Sequence, residues 1–233
     1  MKKALLLVTL LLVTSSMGWA GACSSGSLAD YIGLGSTGCT IGDKTFNDFA
    51  YSKAGIFPIR SAEIGVTPCP SMFCGNIGVP LSEEGFVLNA AWQVLAGQTL
   101  DSTITYSVTS TASIVDAFLL GVGMGVATAG LVTVAETLSN GALLPTIGAR
   151  GLPTSSGSVT FPGVKSLTAT EGIGLTGGDG VARISVVANA FSQGVSEPTN
   201  AVSQSQVPEP ASKLLFSSGL LALGWYVRRR KRN

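Results

Sequence analysis

Apolar and polar residues alternate strictly over residues 103–109, with Ile104, Tyr106 and Val108 on one side and hydroxyl-bearing side chains on the other. A period of two marks a strand with one buried face. Residues 85–94, carrying Phe86, Leu88 and Trp92, are expected to be its neighbour. Further strands are expected over 45–51, 113–120, 131–137, 158–161, 164–170 and 181–191, and one short helical turn over 27–32. The Gly177-Gly178-Asp179-Gly180 run has the composition of a hairpin turn. Strands at this spacing, broken by glycine-rich turns, predict an all-β antiparallel β-sandwich, jelly-roll-like or immunoglobulin-like.

Two segments break this pattern. At the N-terminus, Lys2 and Lys3 precede an uncharged Leu/Val-rich run over 4–13 and a small-residue stretch ending at Ala22. That is the layout of a secretory signal peptide over 1–22, with cleavage after Ala20 or Ala22. The apolar run is too short for a spanning helix, which needs about 20 residues. Cleavage after Ala22 would leave Cys23 first, as in a lipoprotein, although Ala20 is not the aliphatic residue such processing favours. At the other end, residues 214–227 are uncharged and precede Arg228, Arg229, Arg230, Lys231 and Arg232. As a helix they would span about 21 Å, short against a bilayer core of about 30 Å. The basic cluster acts as a membrane stop and belongs on the cytoplasmic side.

Val207-Pro208-Glu209-Pro210-Ala211, then Leu214-Leu215, Gly219-Leu220-Leu221-Ala222-Leu223-Gly224 and the arginine run, closely resemble the PEP-CTERM sorting signal. The resemblance covers about a tenth of the chain. It implies that an exosortase-type membrane enzyme is a partner, recognising Pro208-Glu209-Pro210 and removing the transmembrane segment. It implies an exported protein, held with its C-terminus inside and then released to the cell surface or extracellular matrix. The opening Cys23…Cys39…Tyr51 segment is similar, less specifically, to that of other PEP-CTERM proteins. The expected organisation is therefore signal peptide 1–22, β-rich domain 23–191, flexible stalk 192–206 and sorting signal 207–233.

Removing the sorting segments changes the charge. Residues 23–206 hold six basic and twelve acidic side chains, a net charge of −6. A mildly acidic body argues against nucleic acid as a partner, which requires clustered Lys and Arg. Cys23, Cys39, Cys69 and Cys74 are an even set in an exported chain and predict disulfides. Neighbour pairing, Cys23–Cys39 and Cys69–Cys74, is expected, and their spacing does not fit a structural metal site.

Candidate chemistry is sparse. The chain has no histidine, which removes Ser-His-Asp and Cys-His catalysis and most catalytic zinc sites. Gly121-Val122-Gly123-Met124-Gly125 lacks the strand–helix context of a nucleotide loop and is expected to be a sheet turn or bulge. Glu83, Glu84, Asp116, Glu136, Glu171 and Asp179 are candidates for a glycosidase pair or a Ca²⁺ site, but no spacing selects two of them. They are expected to be solvated turn residues. Trp92 and Tyr106 suit the core better than a sugar-stacking platform. No catalytic residue, cofactor or metal is predicted. The function expected is an exported structural or adhesive protein, with extracellular polysaccharide as a partner. The alternatives are a carbohydrate-active enzyme and a carbohydrate- or Ca²⁺-binding module on the same scaffold.

Overall fold

The computed structural model describes residues 20–194, apart from 57, 71–73, 81, 128, 145–146 and 150–153. The expected signal segment and the sorting segment, with its transmembrane helix, lie outside the described residues. Among the described residues no helix is long and apolar enough to cross a membrane. The strands are β1 (Gly21–Ala22), β2 (Gly26–Ser27), β3 (Cys39–Ile41), β4 (Lys44–Gly55), β5 (Gly65–Cys69) and β6 (Glu84–Val94). They continue as β7 (Thr99–Val122), β8 (Gly125–Val126), β9 (Leu131–Leu138), β10 (Ile147–Ala149), β11 (Thr154–Thr176) and β12 (Ala182–Gln193). One α-helix, α1 (Leu28–Gly33), follows β2, capped by Ser27 and Asp30, whose side chains each bond the other's backbone N–H.

All twelve strands belong to one hydrogen-bonded sheet, and two long strands fold it over. β7 and β11 pair antiparallel from Thr99↔Thr176 to Val122↔Thr154, with register breaks on either side of Val164. Pro162 and Gly163 sit at that corner. Proline supplies no ladder donor and is tolerated in sheets at bends and edges. Below the corner, β4 pairs residues 100–110 of β7, while β11 carries β9 and β9 carries β10. Above it, β12 takes the place of β4 alongside residues 114–122 of β7, followed by β6, β5 and β2. The two halves face each other as in a β-sandwich.

The core between them is aromatic. Phe46 and Phe49 of β4 meet Phe86 of β6 edge-on, at centroid distances of 4.7 and 5.6 Å. Tyr106 of β7 stacks on Phe49 at 5.3 Å and reaches Phe191 of β12 at 6.4 Å. Trp92 is fully buried and donates its indole N–H to Ser102 Oγ at 3.3 Å. Phe46 and Phe49 are three apart, which strict alternation would put on opposite faces. A bulge between Asn47 and Ala50, with Asp48 at φ 53°, resets the period so that both point inward.

Several expected strands are in the right place with different partners. β6 does not pair with residues 103–109; its neighbours are β12 and β5, because the link over 95–98 carries the chain across the core. Residues 158–161 and 164–170 are one bent strand, as 113–120 is continuous with 103–109. The Gly177–Gly180 turn joins β11 to β12 but is no hairpin, since those strands flank β7 on opposite sides. β12 runs to Gln193, so the first two residues of the expected stalk are strand, and the stalk from residue 195 on lies outside the described residues. Cys23–Cys39 ties β3 to the segment before it, and Cys69–Cys74 ties β5 to the loop after it.

Replacing Phe46 with Ala is expected to cost about 3–5 kcal/mol in urea unfolding. Ser52→Ala, on the exposed side of the same strand, is expected to stay within about 0.5 kcal/mol.

Candidate functional site

The acidic residues expected on turns are mostly not there. Glu136 on β9 and Glu171 on β11 both point into the sandwich and are 1% and 0% exposed. The β9–β11 register sets them directly opposite each other. Facing residues on adjacent antiparallel strands place their Cβ atoms about 4.5–5.5 Å apart. All four carboxyl oxygens lack a hydrogen-bond partner, as do the Tyr106 hydroxyl and both side-chain amide atoms of Asn189. Tyr106 lies on β7 beside β11, and its ionisation is opposed by burial and then by the charges of both glutamates. Asn189 lies on β12 and its amide abuts Glu136 without a bond of normal geometry.

Four strands thus deliver one polar cluster to an apolar interior. Burial drives the Glu171 carboxyl up to about 8. Burial, and then the charge of Glu171, holds Glu136 well above the carboxylate range, with Asn189 opposing. Keeping one glutamate protonated at neutral pH, against an ordinary value of 4.5, costs about 3 kcal/mol. That is a large share of the 5–15 kcal/mol that stabilises a domain.

A second cluster sits at the corner of the sheet. Lys44, at the start of β4, is 1% exposed and holds Glu84 at 3.0 Å and Asp43 at 3.4 Å. Asp43 also accepts from Ser110 Oγ at 2.6 Å, Thr111 Oγ1 at 3.2 Å and the Ala112 N–H at 3.4 Å. Burial raises the Asp43 carboxyl, but Ser110, the Lys44 charge and the Ala112 amide outweigh it and leave it low. Beside them Glu83 is pushed up to about 8 by burial and by Asp116, with Lys44 opposing. Asp116 receives the Ser192 N–H at 3.0 Å, and the Gly194 N–H bonds Ser113 O at 3.0 Å. These bonds tie the last described residues to the corner of β7. Of the acids named from the sequence, Asp179 is exposed.

Two surface clefts, of about 190 and 410 Å³, are lined by other residues and do not reach Glu136 or Glu171. Trp92 and Tyr106 are core residues and offer no platform at the surface. The glycine run at 121–125 links the end of β7 to β8, both paired with β12, with Gly123 at φ 69° between them. Val207, Pro208, Glu209 and Pro210, and the basic residues 228–232, lie outside the described residues. Sequence reasoning missed Lys44 altogether. It named Glu136 and Glu171 without pairing them, and the inward period of Val132, Val134, Glu136 and Leu138 was the available signal.

The PEP-CTERM protein-sorting motif profile matches residues 206–231, so the chain carries this sorting motif. No curated protein matches the chain. Among solved structures, TmCBM61 in complex with beta-1,4-galactotriose is 8% identical, with 60% of this chain and 86% of that chain covered and a TM-score of 0.32. CsCBM6-3 from Clostridium stercorarium with cellobiose is 16% identical over 76% and 98%, at a TM-score of 0.24. The family 11 carbohydrate-binding module from Clostridium thermocellum is 10% identical over 75% and 98%, at 0.23. Scores of this size transfer neither a fold assignment nor a ligand to this chain.

Two measurements probe the clusters. Lys44→Met keeps the apolar stem and strands Glu84 and Asp43 without their counter-charge. It is expected to cost about 2–3 kcal/mol, below the usual range for buried pairs because both partners keep some solvent. For the interior pair, a raised carboxyl pKa means the folded state holds protons that the unfolded chain releases. Stability is then full below about 4.5 and lost as pH rises through about 8. In chelator-treated protein, the melting temperature is expected to fall from pH 5 to 8, and Glu171→Gln to flatten that slope.

Proposed function

We propose that this PEP-CTERM-tagged chain is a non-catalytic exported protein that serves a structural or adhesive role at the cell surface or in the extracellular polysaccharide matrix. The observation that carries this reading is the sorting motif at 206–231, attached to a domain closed by two disulfides. Disulfides persist in oxidising compartments, which agrees with export. In this reading the signal peptide over 1–22 is removed on export and the 214–227 segment holds the chain in the membrane with its C-terminus inside. An exosortase-type enzyme then cuts near Pro208-Glu209-Pro210 and frees the β-domain.

The domain itself supports a role without turnover. A glycosidase needs two carboxyls against the same sugar, about 5–9.5 Å apart. Glu136 and Glu171 face each other inside the sandwich, where no sugar reaches them. Of the corner acids, Glu84, Asp43 and Asp116 are held by Lys44, by hydroxyls and by backbone amides.

The test is the intact mass of the protein recovered from its own cells, in membrane and released fractions. The released form is expected to begin at Gly21 or Cys23 and to end near Pro208–Pro210. It should weigh about 4 Da less than the reduced chain, one hydrogen per sulfur. A released form that still carries the arginine tail would remove the processing step from this reading. Hydrolysis of polysaccharide by the purified protein, lost on replacing a single carboxylate, would remove the non-catalytic role.

A further inference from the structure

We propose that Glu136, Glu171, Tyr106 and Asn189 form an interior site for one hard divalent cation, Ca²⁺. The inference starts from unpaired atoms. Buried polar groups in folded proteins are nearly always satisfied, and an exception calls for a water, an ion or a role. Here seven unpartnered atoms fall on four side chains, each at least 98% buried, drawn from β7, β9, β11 and β12. Six of the seven are oxygens: two from each glutamate, the Tyr106 hydroxyl and the Asn189 carbonyl.

The chemistry of the set selects the ligand. Two facing carboxylates carry two negative charges, and one divalent cation neutralises them. Among the described residues no basic side chain does so: Lys44 is engaged by Asp43 and Glu84, and Lys53, Arg60, Lys165 and Arg183 are exposed. Among the described residues of the four strands, Tyr106, Glu136 and Glu171 are the buried titratable groups, and the side chains that β6 buries opposite them are apolar. The donors are all oxygen, without His or Cys, which suits a hard cation over zinc or copper. Six oxygens match the lower end of Ca²⁺ coordination, which accepts bidentate carboxylates and irregular geometry. Mg²⁺ demands a near-ideal octahedron and usually keeps several waters, which an enclosed interior does not favour. Among the described residues no three Asp, Glu, His or Cys side chains converge, so neutral oxygens complete the set. The Tyr106 and Asn189 oxygens are the independent observation: neither carries charge at neutral pH, both are buried and unpaired, the Asn189 amide abuts Glu136, and Tyr106 lies on the strand beside Glu171 within the field of both carboxyls.

An enclosed site loads as the sheet closes, so the experiment is a refolding. The full chain, with disulfides intact, is refolded in Ca²⁺ or in EGTA and passed through gel filtration. Its metal content is measured by mass spectrometry and its melting temperature from pH 5 to 8. The expected result is one Ca²⁺ retained per chain. At about pH 7.5, and at a hundredfold excess over Kd, the melting temperature should rise by about 5–10 °C. That gain should shrink toward pH 5, where protons compete for the carboxylates. The double variant Glu136→Gln, Glu171→Gln is expected to bind no Ca²⁺ and to melt alike in both buffers. Protein without Ca²⁺, melting identically in Ca²⁺ and EGTA, would overturn the proposal and leave the pair held by protons. A Ca²⁺ response that survives in the double variant would also overturn it, placing the ion elsewhere. Should the double variant not fold, the metal content and pH-resolved Ca²⁺ effect of the native sequence decide the question alone.

Discussion

The constraint on which this molecule depends is the ladder between β7 and β11. Among the described residues it is the one pairing that runs through both halves of the sandwich, and almost every other strand takes its register from it. β4 and β12 sit against β7, β9 sits against β11, and β6 is placed by β12. Side chains alternate along a strand, so a one-residue slip would send a strand's core face to solvent. The bend at Pro162-Gly163 lets one ladder serve two layers. Without it the inward faces of 100–108 and 114–120 would lie along one plane with nothing to cover them.

Register also explains why the core holds charge. The same alternation that points Val132, Val134 and Leu138 inward points Glu136 inward, and the β9–β11 pairing then brings Glu171 opposite. Neither residue can turn outward without moving its strand. The aromatic cluster around Phe46, Phe86 and Tyr106 supplies the apolar burial that offsets the cost. Tyr106 belongs to both networks: its ring stacks on Phe49, while its unpaired hydroxyl lies within the field of the two carboxyls.

The sequence exposes this architecture unevenly. The alternation over 103–109 is clean because that segment has one wet face and one dry one, and the structure places it accordingly. The disulfide pairs follow from short separations. What cannot be read is pairing across the core. β6 and the first half of β7 are adjacent in sequence and alike in pattern, yet lie in opposite layers, because the four-residue link over 95–98 crosses the sandwich. The inward turn of Phe49 depends on a bulge, and an alternation count sees only a break. The glutamates escaped for a related reason. They are 35 positions apart, and only the direct register of β11 against β9 makes them neighbours. Lys44 looked like any surface lysine until the corner of β7 brought Asp43 and Glu84 to it.

Composition and interior chemistry then bear on the same point. The sorting segments take most of the chain's cations, leaving six basic residues between 23 and 206. Lys53, Arg60, Lys165 and Arg183 are exposed, and Lys44 is the buried base among the described residues. It sits at the corner, between Asp43 and Glu84. Among the described residues, no cationic side chain is therefore placed to neutralise Glu136 and Glu171. A like-charged pair enclosed in a sandwich cannot persist without counter-charge, because desolvation and mutual repulsion act in the same direction. None of the described side chains supplies that counter-charge, and protons or a metal ion would. The solution around the protein thereby becomes a component of its fold, and the stability of the β9 edge follows the medium into which the domain is delivered.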